Sequence, residues 1–265
     1  MNIHGKHNYF RQILNVLFAM TQVFAPFFSE FTGIGRTIEA QAAADPVTNP
    51  EVPAGYTFSI WFIIFVLSLI YAIYQVLPHQ RENKLFQRIG GLTAISFFLS
   101  TAWMLIVQIF GDGWVLVAII ILMLISTLKA LFRFVKFPEP LTAFDRWVIA
   151  PLLGLFSGWL SVAAFLNTFS VLKAYSLHNL ALPTNLFAVV VISLAAALSL
   201  TVIFKSRGNL WYGATILWAL VGIIFANVSL PRNMLVTGFA GCLFVIVTGT
   251  LFYSRRQFAH AKKLK

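Results

Sequence analysis

The chain has 265 residues, 59% of them apolar and 10% charged, with a mean hydropathy of +0.84. Its net charge of +11 would point to nucleic acid in a soluble protein, but no soluble fold can bury this much apolar sequence, and nucleic-acid binding is set aside. The single cysteine, Cys242, excludes an internal disulfide and any cysteine-rich metal or iron–sulfur site.

Eight stretches, approximately residues 10–29, 58–77, 89–110, 114–133, 147–171, 185–204, 211–230 and 234–253, each match a hydrocarbon layer ~30 Å thick. The fold class expected is therefore all-α: a polytopic membrane helix bundle of eight transmembrane helices. The first stretch has a basic flank, Lys6 and Arg11, and is followed by the small-residue run Ala40 to Ala44. Glu30, Arg36 and Glu39 separate the two by more than a signal-peptidase site normally allows, so the segment reads as an uncleaved helix. The loop that follows, from Glu30 to Thr57, contains Pro46, Pro50 and Pro53, and loops this long are often lids or spacers. The other connections are short: Gly111-Asp112-Gly113 joins segments three and four, and Pro231-Arg232-Asn233 joins seven and eight.

Basic residues alternate across these segments. With the N-terminus in the cytoplasm, sixteen of the nineteen Lys and Arg residues fall on the inner side, and only Arg36, Lys173 and Arg232 fall outside. Positive charge resists translocation, so both termini are expected in the cytoplasm, in a bacterial inner membrane. No ionisable residue sits at the middle of a helix, and Lys129 can snorkel from about one turn inside. That weakens proton pumps and ion-coupled carriers. The five histidines lie in tails, loops or boundaries, which argues against paired haem ligation. No Ser/His/Asp set or zinc-protease motif is present, so neither an enzyme nor a metal site is expected.

Trp114, Trp147 and Trp211 sit at helix starts, where an indole anchors at the headgroups, and Trp61 shares that position. Trp103, Trp159 and Trp218 lie deeper, roughly 10–21 Å from the inner ends of their helices. Each is followed toward the outer side by an amide: Gln108, Asn167 and Asn227. Packing and helix bridging account for any one of these residues. Taken together, they also suit a cavity for a flat, apolar ligand with a polar edge. On helix five, Gly154 and Gly158 allow close approach of a neighbour, Pro151 should loosen the first turns, and Trp159, Ala163 and Asn167 share one face.

Two stretches carry a resemblance. Residues 53–61 read PAGYTFSIW, and residues 159–167 read WLSVAAFLN. They resemble the TspO/MBR family of tryptophan-rich sensory or translocator proteins. That family has a Pro-Gly-aromatic-x-Phe…Trp signature entering its second helix and an Ala-Trp in its third, matched here by Ala102-Trp103. Its fifth helix carries Trp-x-x-x-Ala-x-x-Leu-Asn, matched by Trp159, Ala163, Leu166 and Asn167. There are departures. The signature before Trp61 is one residue short, and Ser100 stands where the family often has asparagine. The usual basic sterol-recognition pattern after helix five is replaced by a reversed match, Lys173-Ala-Tyr175-Ser-Leu177, and a forward match stands at Leu251 to Arg255.

The resemblance implies a longer, divergent member: a TspO-like five-helix unit over residues 1–172, with its outer loop at about 30–57, then three additional helices and a basic tail over 173–265. It implies a tetrapyrrole- or sterol-like ligand bound by Trp103, Trp159, Ala163 and Asn167, with Tyr56, Phe58 and Trp61 closing the outer mouth. No further cofactor is expected. The partners are the lipid bilayer and this hydrophobic small molecule, and a homo-oligomer is compatible with the sequence. The alternative is a permease for a small neutral or amphipathic solute. The topology is open to a direct check: cysteines introduced at Thr48 and Lys262 should label from opposite sides of intact cells, and labelling of both from one side would overturn the orientation.

Overall fold

The computed structural model describes residues 3–37, 49–175, 183–228 and 233–263. The alanine-rich patch and Thr48, the Pro231-Arg232 connection and the stretch after Tyr175 lie outside the described residues, as does the side chain of Lys262. Eight long helices carry the chain: α1 Ile3–Phe24, α2 Ile60–Val76, α3 Lys84–Phe110, α4 Trp114–Val135, α5 Ala150–Tyr175, α6 Thr184–Lys205, α7 Leu210–Val228 and α8 Met234–Lys263. α1 is prolonged by a short 3-10 turn and by the helix Phe28–Thr32. Each of the eight includes or adjoins a span long and apolar enough to cross a bilayer, the first running Tyr9–Thr32 and the second Gly55–Val76. No β-strand occurs among the described residues. The protein is a polytopic helical membrane protein, as its hydropathy requires, because in hydrocarbon a helix satisfies its own backbone.

Helix ends follow local chemistry. Asn83 caps α3, its Oδ1 accepting from Leu85 N at 2.9 Å. Gly111, with φ +72°, ends that helix in a conformation open to glycine. Asn209 caps α7 by accepting from Tyr212 N at 2.9 Å. The loosening expected from Pro151 takes the form of a π-helical turn, Asp145–Ile149, just before α5. Proline offers no N–H to the preceding turn, which removes one rung of the ladder there.

Contacts divide the chain into two compact units. The first comprises Met1–Pro46 and Trp61–Leu153, and the second Val47–Ile60 and Gly154–Lys265. The division expected from the resemblance, after residue 172, was drawn on motif coverage and not on contacts.

In the first unit, α3 packs against both α1 and α4. α1 and α3 run in the same direction, since Asn15 donates to Gly90 O (2.8 Å), Thr21 meets Thr101 (2.9 Å) and Gln108 reaches Ala25 O (2.7 Å). The interior is polar along one line. Gln12 donates to the Gln75 carbonyl, and Asn15, Thr93 and Tyr71 form a buried chain with links of 2.6 and 3.0 Å. Ser96 and Ser126 tie α3 to α4 at 2.7 Å. In the second unit, α8 packs on α7 and α6, and α5 approaches α7 through its glycines. A β-carbon at Gly154 would stand 2.5 Å from Trp211 Cβ, and one at Gly158 would stand 2.8 Å from Thr215 Cβ. The small-xxx-small pair therefore sets the spacing of α5 and α7.

That spacing is testable. Gly154→Val should lower the melting temperature in detergent, at a cost of about 1–3 kcal/mol for overpacking. Gly238→Ala, where a β-carbon meets open space, should not. Equal melting temperatures for the two variants would remove the glycine contact from the packing of α5.

Candidate functional site

The residues singled out in the sequence fall into two groups, one in each unit. In the second unit Trp159 is 2% exposed on α5, and the Phe58 ring meets it edge-on at 5.2 Å and 81°. Phe58 and Tyr56 belong to the 3-10 turn Gly55–Ser59 that leads into α2. Tyr56 stands edge-on to Trp218 at 5.4 Å and to Phe225 at 6.0 Å. Ala163 and Asn167 follow Trp159 at one-turn intervals on the same helix face. Asn167 is half-buried, and its Oδ1 is buried without a hydrogen-bond partner among the described residues. In the first unit Trp61 and Trp103 flank a small core of Ala25, Phe65 and Met104. Trp61 lies against Phe65 at 5.5 Å, so it is a packing residue as much as a belt anchor, and the Trp103 Nε1 is buried without a hydrogen-bond partner among the described residues.

The amides divide by what they bond. Gln108 Nε2 donates to Ala25 O and to Met104 O, each at 2.7 Å, and its Oε1 accepts from Ser29 N at 3.1 Å. Asn227 Nδ2 donates to Pro50 O and Ile223 O, each at 2.8 Å, and Trp218 Nε1 donates to Thr57 O at 2.9 Å. Gln108 is thus a helix bridge, while Asn227 and Trp218 hold the segment 49–59. Ala54 N adds a bond to Gly222 O at 3.0 Å, and Lys173 Nζ reaches Asn49 Oδ1 at 2.5 Å. Gly222 is needed there, because a β-carbon would collide with Thr57 Cγ2 and stand 2.9 Å from Pro53 Cβ. The end of the long loop is therefore a fixed part of the second unit.

Two features went unread in the sequence. The first is Glu51. Assigned to an outer loop, it is 4% exposed and lines an apolar cavity of about 20 Å³ with residues of α5, α6 and α7. A non-helical segment between prolines carries no periodicity that would signal such burial. The second is the amide stripe of α1: Gln12, Asn15 and Gln22 all face inward. Gln22 is 0% exposed, and among the described residues neither its Nε2 nor its Oε1 has a partner; Ser100 Oγ is likewise unpartnered there. Their spacing of three and seven in an otherwise apolar helix was the available signal. Among the described residues, no three His, Cys, Asp or Glu side chains come together to hold a metal ion.

The clamp on segment 49–59 can be probed through Asn227. Asn227→Leu leaves the Pro50 carbonyl without its donor, at a cost of about 1–3 kcal/mol. In a background where the exposed Cys242 is replaced by serine, a cysteine at Val52 should then react faster with a soluble thiol reagent. An unchanged rate would show that the amide does not hold the segment.

A family model described as TSPO-like protein matches residues 12–253. The match runs through all eight helices, so the resemblance is not confined to the first five. No curated protein and no solved structure matches the chain significantly. With more than half of its length matched, and with the aromatic and amide residues above carried on its membrane-spanning helices, the chain belongs to the family of TSPO-like proteins.

Proposed function

We propose that this protein binds, and senses or moves, a hydrophobic planar small molecule of tetrapyrrole or sterol type, and that it carries out no enzymatic step. The observation that carries the reading is Asn167. Three amides follow deep tryptophans. Gln108 and Asn227 spend theirs on backbone, whereas Asn167 keeps a buried, unpaired carbonyl oxygen two turns beyond Trp159. A buried acceptor left unpaired costs about 1–3 kcal/mol. A ligand with a polar edge relieves that cost, while its flat body stacks on the indole. Trp159, Ala163 and Asn167 form the bound face within the second unit, with Phe58 beside the indole. The ~300 Å³ or more that a planar ligand needs far exceeds the cavity of the second unit, so binding requires a rearrangement of the residues around the tryptophan. In this reading both termini lie in the cytoplasm of a bacterium, and the bilayer is its inner membrane.

A porphyrin titration should quench intrinsic tryptophan fluorescence. Trp159→Phe should weaken binding about threefold or more, whereas Trp211→Phe should not. Asn167→Leu should lose about one kcal/mol of affinity yet keep its melting temperature, because no partner is orphaned by the change. A large loss of stability with unchanged affinity would make Asn167 structural and remove the reading. The alternative, a permease for a small neutral or amphipathic solute, draws on the narrow cavity between α5, α6 and α7. Flux into proteoliposomes separates the two.

A further inference from the structure

The basic residues of the two units differ in what neutralises them. In the first unit Lys84 Nζ pairs with Glu139 Oε1 at 2.7 Å, and Glu82 and Asp145 also stand among its basic residues. Residues 154–265 contain no aspartate or glutamate. The second unit's one acidic side chain, Glu51, is buried in the segment that Gly222 and Asn227 hold, about 20 Å along α7 from where that helix begins.

Where α7 begins, four exposed cations meet: Lys205, Arg207, Arg255 and Arg256. α6 ends at Lys205, and the chain passes into α7 through Arg207 and Gly208, with φ of +60° and +67°. Arg207 is the one residue other than glycine with a positive φ among the described residues, a conformation in which a β-carbon crowds the backbone. Its guanidinium lies over the Phe258 ring at 5.8 Å, and Phe258 meets Phe204 at 6.2 Å, so α8 is fixed beside the turn. Gly208 lets α8 come close, since a β-carbon there would stand 2.6 Å from Arg255 Cγ. Arg255 Nη1 in turn donates to Gly208 O at 3.4 Å. Phe252 and Tyr253, 62% and 57% exposed, lie one turn before Arg256 on its side of α8. Trp211, in the first turn of α7, marks the headgroup level close by.

A cation cluster with no carboxylate beside it attracts an anion, and its place in the fold selects which one. Guanidinium groups match a phosphate with parallel N–H bonds. A free phosphate would leave the exposed aromatic rings beside the arginines unused, whereas a phospholipid sets its phosphate at this level and its chains against the rings. A zwitterionic lipid brings its own cation to the same place, so the net charge selects an anionic headgroup. We propose that the turn between α6 and α7, with the adjoining part of α8, is a binding site for an anionic phospholipid. Arg207 and Arg255 hold the phosphate, Lys205 and Arg256 add to the field, and an acyl chain lies on Phe252 and Tyr253. The site is separate from the Trp159 and Asn167 face. In the orientation proposed above it meets the inner leaflet, whose surface potential is negative.

The probe is dioleoylphosphatidylglycerol, titrated onto the full chain in neutral detergent and followed by native mass spectrometry. Dioleoylphosphatidylcholine is the zwitterionic control, and glycerol 1-phosphate stands for the free headgroup. The expected result is a saturable site that prefers phosphatidylglycerol to phosphatidylcholine at least about tenfold and takes up no glycerol phosphate at the same concentrations. Arg207→Gly removes the guanidinium at a backbone position that suits glycine. It should therefore weaken the lipid about fivefold without lowering the melting temperature, and adding Arg255→Gln should weaken it further. Lys129→Gln with Lys136→Gln removes the same charge from the first unit and should leave the affinity unchanged. Equal affinity for phosphatidylcholine or for glycerol phosphate overturns the proposal. So does affinity retained in the Arg207 and Arg255 double variant, or lost equally in the Lys129 and Lys136 variant, which would mark a diffuse attraction to net charge. No porphyrin enters these measurements, so the outcome is independent of the planar-ligand reading.

Discussion

A polar group inside hydrocarbon has no water to fall back on, and the side-chain hydrogen bonds between segments of this protein answer that constraint. Gln108 bonds Ala25 and Met104, Asn15 bonds Gly90 and Thr93, and Asn227 bonds Pro50 and Ile223. Each of these amides reaches a carbonyl or hydroxyl of a neighbouring segment, at Ala25, Gly90, Thr93 or Pro50, and ties the segments in register, while the bonds to Met104 and Ile223 stay within the amide's own helix. Apolar contact alone discriminates weakly between helix faces when the surrounding solvent is itself apolar. The amides supply the specificity that the hydrophobic effect supplies in water. The exceptions gain meaning against this background. Among the described residues Gln22, Ser100, Trp103 and Asn167, and also Arg11, Gln12, Gln75 and Thr237, each keep a buried polar atom unpaired, and each such atom calls for an explanation in strain, water or a bound group.

The second unit shows how the same constraint treats a non-helical segment. Residues 49–59 are neither helix-packed strand nor free loop; their backbone carbonyls and amides are taken up by Asn227, Trp218 and Gly222. Irregular backbone at membrane depth is tolerated where protein satisfies it, and such places often border a site. Here the segment brings Phe58 against Trp159 and Glu51 into an apolar cavity. The membrane-spanning helices carry no acidic residue at mid-span, and the buried acidic side chain, Glu51, arrives instead on this segment.

The helices themselves were legible in the chain. The eight spans, the small pair Gly154 and Gly158 and the loosening at Pro151 all appear in the structure, because length, size and the missing proline N–H act locally. The family motifs were legible as well, since Trp159, Ala163 and Asn167 obey a helical spacing that any α-helix places on one face. What each side chain would bond was not. Asn227 and Asn167 follow a tryptophan in the same manner, yet one holds Pro50 and the other holds no partner with its oxygen. A hydrogen bond depends on which distant segment arrives at the same depth, and spacing along one helix does not carry that information.

Sequence alone thus determined the medium, the helix count and the small residues at which helices approach, since each is a property of a single segment and its solvent. Tertiary structure alone decided that residues 49–57 of the long loop belong to the second unit and that Glu51 is buried. It also decided that Trp61 packs beside Phe65 and that the stripe of α1 faces inward. These depend on contacts between residues far apart in the chain, such as Asn227 with Pro50 and Asn15 with Gly90. Their energies come from satisfying buried polar groups in pairs, and neither member of such a pair reveals its partner until the fold brings them together.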